Sequence, residues 1–398
     1  MSLSWPHLAA PRGPCHVRFM LSHADIAELT ELRRALHRAP ELSGREIRTA
    51  DRIAALMEDL GADEIRTGIG GTGVIAAFHG AAPGPSVMFR AELDALPIRE
   101  ADGPAHRSAV EGVAHLCGHD GHMTGLVGLG RVLARERPAR GTVWLLFQPA
   151  EENGAGSAAM LDDPALPGFD YGFAIHNYPG LAQDRALIAA GAMNCASVGL
   201  RAVLTGATSH ASEPEKARTP GPAIAAILPA LIGLSRGSQA DADFRLVTIT
   251  HQRMGEAAFG ITPGHAEIWV TLRSRTDAAM AGLRAAATDI IAAGAAAHGL
   301  EAAFDSQDNF AASVNDAEAA AIFARAAEAE GIALSDADLP MRASEDFGRF
   351  GQVARTAMIL LGSGAGHPPL HAENYDYPDD LIAPSVRLLN RVARDLTG

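Results

Sequence analysis

Cysteine is nearly missing from this chain. Only Cys15, Cys117 and Cys195 occur in 398 residues. So odd and sparse a set excludes a disulfide framework and points to a reducing, cytoplasmic setting. Aromatic residues are thin at 5%, which leaves little for the stacking platforms that single-stranded nucleic acids need. Positive charge is also short. The 33 Lys+Arg face 47 Asp+Glu, a formal net charge of −14, which argues against nucleic acid or an anionic membrane surface as a partner. No apolar run reaches membrane-spanning length. Residues 1–20, with Pro6, Pro11 and Pro14, lack the apolar core of a signal peptide and read as a loose leader.

What is present is a globular composition, 47% hydrophobic and 20% charged, in a chain long enough for two domains. Ser22 caps an amphipathic helix with Ile26, Leu29, Leu32 and Leu36 at helical spacing. Ser43 with Glu46 reads as a capping box opening a second helix. Short apolar runs at 73–79, 86–91, 142–147, 171–175 and 356–361 alternate with helical segments. That alternation predicts an α/β domain with a mainly parallel sheet and helices on both faces. From about Ala196 the order becomes β-α-β-β-α-β, a small α+β, ferredoxin-like unit. The reading is therefore a catalytic, metal-binding domain over 21–195 and 311–398, interrupted by an insert at 196–310.

One stretch concentrates chemistry. Cys117-Gly118-His119-Asp120-Gly121-His122 is followed about thirty residues on by Glu151-Glu152. Thiol, imidazole and carboxylate are the donors that hold borderline divalent metals. Asp94, Glu151-Glu152, His176 and His371 each follow a predicted strand, and ligands of open parallel sheets bind beyond the carboxyl ends of the strands. A thiolate or carboxylate can bridge two metals, and a further carboxylate is needed as general base for water. Neighbouring side chains point different ways, so Glu151 and Glu152 suit that division. His115 and His122 read as supporting residues, and Asp120 as a helix cap.

With these residues in place the chain resembles the M20 metallopeptidase family, and within it the M20D amidohydrolases, which include hippurate hydrolases and hydrolases of indole-acetyl amino-acid conjugates. The marks run from Leu36-His37-Arg38-Ala39-Pro40-Glu41-Leu42-Ser43 through Arg90-Ala91-Glu92-Leu93-Asp94 and His115-Leu116-Cys117-Gly118-His119. Phe147-Gln148-Pro149-Ala150-Glu151-Glu152, Ser209-His210-Ala211, Ser344-Glu345-Asp346-Phe347 and Pro369-Leu370-His371 follow in order. The resemblance implies two divalent metals, Mn, Zn, Co or Ni, held by Cys117, His119, Glu152, His176 and His371, with Cys117 between them. It makes Glu151 the base, Asp94 a ligand-orienting aspartate, His210 an oxyanion stabiliser often supplied across a dimer, and Arg273 the partner of a substrate carboxylate, with Arg275 close by. It also implies that the insert mediates homodimerisation.

Three departures stand out. Glu92 occupies a place where M20D relatives usually carry Asp. Gly260 precedes Ile261-Thr262-Pro263 where they carry Asn, and the usual glycine pair before His210 is missing. The resulting expectation is a hydrolase of N-acyl amino acids. The alternatives are a dipeptidase or an N-acetyl deacetylase of a metabolic intermediate, a catalytically weak metal-binding homologue, and a thiol enzyme with Cys117 as nucleophile.

Overall fold

The computed structural model describes residues 21–335 and 339–398; the leader expected over residues 1–20 lies outside them. Among these residues eight strands form one sheet. Its centre is four parallel strands in the order Arg140–Gln148, Ala82–Glu92, Tyr171–Pro179 and Arg355–Gly364. They are apolar through their length, as strands covered on both faces must be. Their shared direction brings Asp94, Glu151, Glu152 and His371 off one edge, with His176 near the end of its own strand.

The sequence reading missed the borders of this sheet. Glu64–Ile69 pairs antiparallel with Gly73–His79, and short strands Arg185–Leu187 and Ala333–Leu334 close the far side. These runs are polar or only two or three residues long, so they carry no strong period-two signal.

One face is covered by five helices, His23–His37, Ile47–Asp59, His119–Arg135, Ala317–Ala329 and Ile382–Thr397, packed around Leu29, Ile53, Leu126, Phe323 and Val392. The opposite face is thinner. A short helix, Gly156–Leu161, and a 3-10 turn, Asp346–Gln352, bring Met160, Phe347 and Phe350 onto it.

Ser22 caps the first helix, and Asp25 completes a capping box with it. The box predicted at Ser43 and Glu46 does not form. The second helix starts at Ile47 without a side-chain cap. Ser43 instead donates to Asp94 at 2.7 Å. Glu46 is fully buried and accepts from the Gly44 and Ala150 amides and from the Thr72 hydroxyl. Both residues serve the strand-end loops, because a buried carboxylate gains more from three donors than a solvated helix start can offer.

A second sheet, in the order Arg245–Met254, His265–Ser274, Ala196–Thr205 and Glu301–Phe310, is antiparallel throughout. Alternate residues of its inner strands are buried, and helices Gly221–Ile232 and Asp277–Ala297 share a separate core with them. The connection order is the β-α-β-β-α-β read from the sequence.

Behind the carboxyl edge lies a buried ion network. The His37 ring lies 2.9 Å from Asp120 Oδ2 and 3.1 Å from Glu100 Oε1. Carboxylates only accept, so both ring nitrogens donate and the ring is an imidazolium. Burial opposes that charge, but Asp120 and Glu100 prevail, and the His37 pKa is raised to about 10. Arg33, fully buried, binds Asp120, Asp376 and Asp379. Asp120 is thus an ion-pair partner rather than the helix cap expected of it; the cap position is Gly118.

A raised histidine pKa contributes stability fully below the unfolded value of 6.5 and loses it as pH rises toward 10. Replacing His37 by Gln should therefore cost about 3 kcal/mol or more at pH 6. The gap from the parent chain should narrow steadily from pH 7 to 10 in urea unfolding. A gap that does not vary with pH would refute the imidazolium assignment.

Candidate metal centre

The Cys117–His122 turn needs both of its glycines. Gly118 has φ +96°, and a Cβ there would sit 2.4 Å from Asn177 Oδ1. A Cβ on Gly121 would strike the Tyr377 ring at 2.4 Å. These close approaches press the start of helix His119–Arg135 against the end of strand Tyr171–Pro179, and so bring Cys117 beside His176. The thiol lies 3.6 Å from His176 Nε2.

Two histidines of the cluster are each held by a carbonyl. His119 Nδ1 donates to the Asp94 carbonyl at 2.9 Å, and His176 Nδ1 donates to the Asn177 carbonyl at 2.8 Å. A carbonyl can only accept, so each Nδ1 carries a proton and Nε2 is the nitrogen left to face the cluster. His119 Nε2 faces Glu151 at 3.9 Å and Glu152 at 3.8 Å, and it is buried without a hydrogen-bond partner. His371 Nε2 lies 3.6 Å from Glu152 Oε2. His371 has a left-handed backbone, φ +66°, and its amide donates to the Leu116 carbonyl at 2.8 Å. That bond ties the last candidate ligand to the residue before Cys117.

The donor atoms fall into overlapping groups. Cys117, His119 and His176 converge within 4.8 Å, and so do Cys117, Glu152 and His371. Cys117 belongs to both groups. Glu151 stands with His119 and Glu152 in one group and with Glu345 and Asp346 in another. Asp94, fully buried, receives the Ser43 hydroxyl at 2.7 Å and the Glu152 amide at 3.0 Å. It therefore fixes His119 through its carbonyl and Glu152 through its carboxylate. His122 is engaged at both nitrogens, by Glu92 at 2.7 Å and by Asn177; His115 is buried with neither nitrogen bonded.

The charge balance calls for cations. Burial, then Glu345, Glu152 and Asp346, push the Glu151 carboxyl well up. Burial raises Glu152 to about 7, against the pull of His119. Burial and the surrounding glutamates push the Cys117 thiol far up as well. His119 is driven the other way; burial disfavours its charge, yet Glu92, Asp94 and Glu152 raise it to about 10. A cluster that raises its carboxyls and its thiol and protonates a histidine is short of positive charge. Two divalent cations fit this donor set, as do the orphaned His119 Nε2 and Glu152 Oε1 atoms.

Two sequence candidates stand apart from this cluster. His210 is exposed on a two-residue strand paired with Ile261–Thr262, and its ring engages Ser212. Among the described residues it bonds to no cluster member. Arg273 donates to the Arg342 carbonyl at 2.8 Å and to Ser344 Oγ at 2.9 Å, one residue short of Glu345. Arg275 points elsewhere, to the Ala240 carbonyl. The sequence reading gave no role to Arg90, Gln148, Glu345 or Asp346. The Arg90 guanidinium is buried against Glu92, Glu345 and Asp346. The signal was present, since all four lie in motifs that mark the resemblance, but only the folded chain pairs residues 256 positions apart.

The profile of peptidase family M20/M25/M40 matches residues 88–395. The chain is similar to the IAA-amino acid hydrolase ILR1-like 2 of Arabidopsis thaliana, 31% identical over 87% of this chain and 81% of that protein. It is also similar to the hippurate hydrolase of Campylobacter jejuni, 29% identical over 92% and 96%. Among solved structures, the Bacillus subtilis YXEP protein, a dinuclear metal-binding peptidase of the M20 family, superposes with a TM-score of 0.78 at 26% identity. The match covers 94% of this chain and 99% of that one.

If Asp94 positions two ligands, Asp94→Ala should weaken Mn or Zn affinity roughly tenfold to a hundredfold. Ser43→Ala should shift it less, in the same direction. Chelator competition measures both, and unchanged affinity in Asp94→Ala would rule the role out.

Proposed function

Because the chain belongs to peptidase family M20/M25/M40, hydrolases of amide bonds, we propose that it cleaves N-acyl amino acids to a carboxylic acid and an amino acid. The observation that carries this reading is Glu151. It is buried beside the metal-ligand cluster yet is held mainly by other carboxylates, Glu345 and Asp346. A carboxylate so placed is poised to take up a proton.

When bound, two divalent metals supply Lewis-acid polarisation of the amide carbonyl and acidify a water molecule. Cys117, His119, Glu152, His176 and His371 hold them. Glu151 accepts the proton of the attacking water and delivers it to the leaving nitrogen. Asp94 keeps His119 and Glu152 in place. Arg273 receives the substrate carboxylate as a charge-assisted pair. His210 stabilises the oxyanion of the tetrahedral intermediate.

His210 lies away from the cluster in a single chain, so it serves the site of a second copy. Residues 196–310 form the inserted domain that makes this homodimer. The exposed Met254, Phe259, Ile261 and Trp269 on and beside its strands support that assignment. The alternative of a Cys117 nucleophile finds no support, because burial and carboxylates raise the thiol where a nucleophile needs it lowered. A catalytically weak homologue is disfavoured by the intact Glu151 setting.

Two outcomes test the mechanism. Glu151→Gln should lower kcat on hippurate or N-acetyl amino acids by roughly a thousandfold or more, with metal content retained; full turnover in that variant would eliminate Glu151 as base. Glu151→Gln and His210→Ala, each inactive alone, should recover about a quarter of parental activity when co-expressed. Half of randomly paired dimers then hold one intact site of two. No recovery would place His210 outside a shared site.

A further inference from the structure

A cavity of about 490 Å³ lies against the end of the strand that carries His176. Tyr178, Leu187, Leu339 and Met341 make an apolar wall, and Gln239 and Arg342 supply the polar groups. The sheet register fixes its position. Tyr178 is two residues beyond His176 on one strand, so both side chains take the same face. Leu187 is opposite Leu360, and Leu360 is opposite His176. At the other side, Arg342 is three residues before Glu345, whose carboxylate converges with that of Glu151. The cavity wall therefore shares a sheet face with His176 and a loop with Glu345.

Arg342 is placed to bind an anion. Its Nε donates to Gln239 Oε1 at 3.0 Å, and the guanidinium lies 5.9 Å from the Phe244 ring centre. These contacts orient the fork from both sides. Yet among the described residues no carboxylate lies within ion-pair distance of Arg342, nor of Arg273 or Arg275. The fields of all three reach the buried Cys195 thiol, so they crowd one region. In a chain of net charge −14, two guanidinium groups, Arg273 and Arg342, with no carboxylate in ion-pair distance among the described residues make a local positive field. Arg273 donates to the backbone carbonyl of Arg342 itself, so the two arginines stand on adjoining segments.

We propose that this cavity reads a second carboxylate on the amino-acid half of the substrate, so that the preferred substrates are N-acyl derivatives of acidic amino acids. This rests on the N-acyl amino acid reading above. Arg273 takes the α-carboxylate, and Arg342, braced by Gln239, takes the side-chain carboxylate through its planar fork. Leu187, Leu339 and Met341 cover the methylene stem. Arg342 is itself exposed, so discrimination comes from the charge-assisted, bidentate pair that a carboxylate makes with it and a neutral amide cannot.

The test compares N-acetylglutamate with N-acetylglutamine, which differ in charge and little in shape. Binding is measured calorimetrically to the Mn-loaded Glu151→Gln protein, and turnover to the Mn-loaded parent. The acidic ligand should bind roughly threefold to tenfold more tightly, with the ratio shrinking at high salt. Arg342→Leu in the same background should bring the ratio to about one, and Arg342→Lys should retain part of it. N-Acetylaspartate reports how deep the subsite lies. A ratio near one in the parent, or a ratio that Arg342→Leu leaves intact, overturns the proposal. Preferential binding of the acidic ligand with no turnover of either amide would instead refute the hydrolase reading and leave the subsite standing.

Discussion

Buried negative charge at the carboxyl edge of the main sheet is the constraint on which the rest of this structure depends. Glu92, Asp94, Glu151, Glu345 and Asp346 are each no more than 5% exposed, and Glu152 joins them. An isolated buried carboxylate costs many kcal/mol unless it is paired or neutralised. Within the chain, Arg90 answers Glu92, Glu345 and Asp346, and Gln148 spans the two oxygens of Asp346 at 2.8 Å each. Glu151 and Glu152 receive no comparable partner. The fold thus gathers carboxylates by running four strands in parallel, neutralises one half of the cluster from within, and leaves the other half for cations from solution.

That division explains the choice of donors on the open half. Without a cation, Cys117 stays protonated because burial and the glutamates oppose a thiolate, while His119 holds an extra proton for the opposite reason. If Cys117 and His119 are ligands as proposed, metal entry would displace both protons, so binding and deprotonation would be one event and affinity would rise with pH. The carbonyl bonds of His119 and His176 fix which nitrogen is presented before any metal arrives, which spares the site a reorganisation on binding. Left-handed backbone at Ala150, φ +48°, and at His371, φ +66°, lies beside the ligand loops. Such conformations cost about 1–3 kcal/mol each. Glu46 secures the Ala150 amide and Leu116 the His371 amide, so the surrounding hydrogen bonds over-determine both.

The sequence was legible where the physics is local. Apolar strands, amphipathic helices and the β-α-β-β-α-β insert all follow from period and breaker residues, and the folded chain keeps that order. It was misread where a residue had two possible uses. Ser43 and Glu46 have the spacing of a cap, but Ser43 reaches a carboxylate 51 positions away and Glu46 one of its amides 104 positions away. Asp120 sits in the first turn of a helix as a cap-like residue would, yet it faces inward to His37 and Arg33. In each case burial decided. A short polar side chain within reach of a buried partner gains more there than at a solvated helix end. The role of Arg90 was not readable although it lies in a motif that marks the resemblance, since no local pattern separates a core arginine from a surface one.

The placement of the catalytic groups on two units has a consequence for specificity. The main sheet presents the candidate ligands and the proposed base as a largely buried set, with His371 its exposed member. The groups proposed to touch the rest of the substrate come from elsewhere. Arg273 sits on a strand of the second sheet, and Gln239 lies between that sheet's first helix and the next strand. Arg342 lies on a loop that both units hold, through Arg273, Gln239 and the Asn194 bond to the Ala343 carbonyl. On the proposal above, a change in the insert would shift recognition without disturbing the buried charge cluster. The departure at Gly260 falls on this part of the chain, next to the strand that pairs with His210. On the same proposal, variation there would act on what is bound, while the carboxyl edge is constrained by its own buried charge.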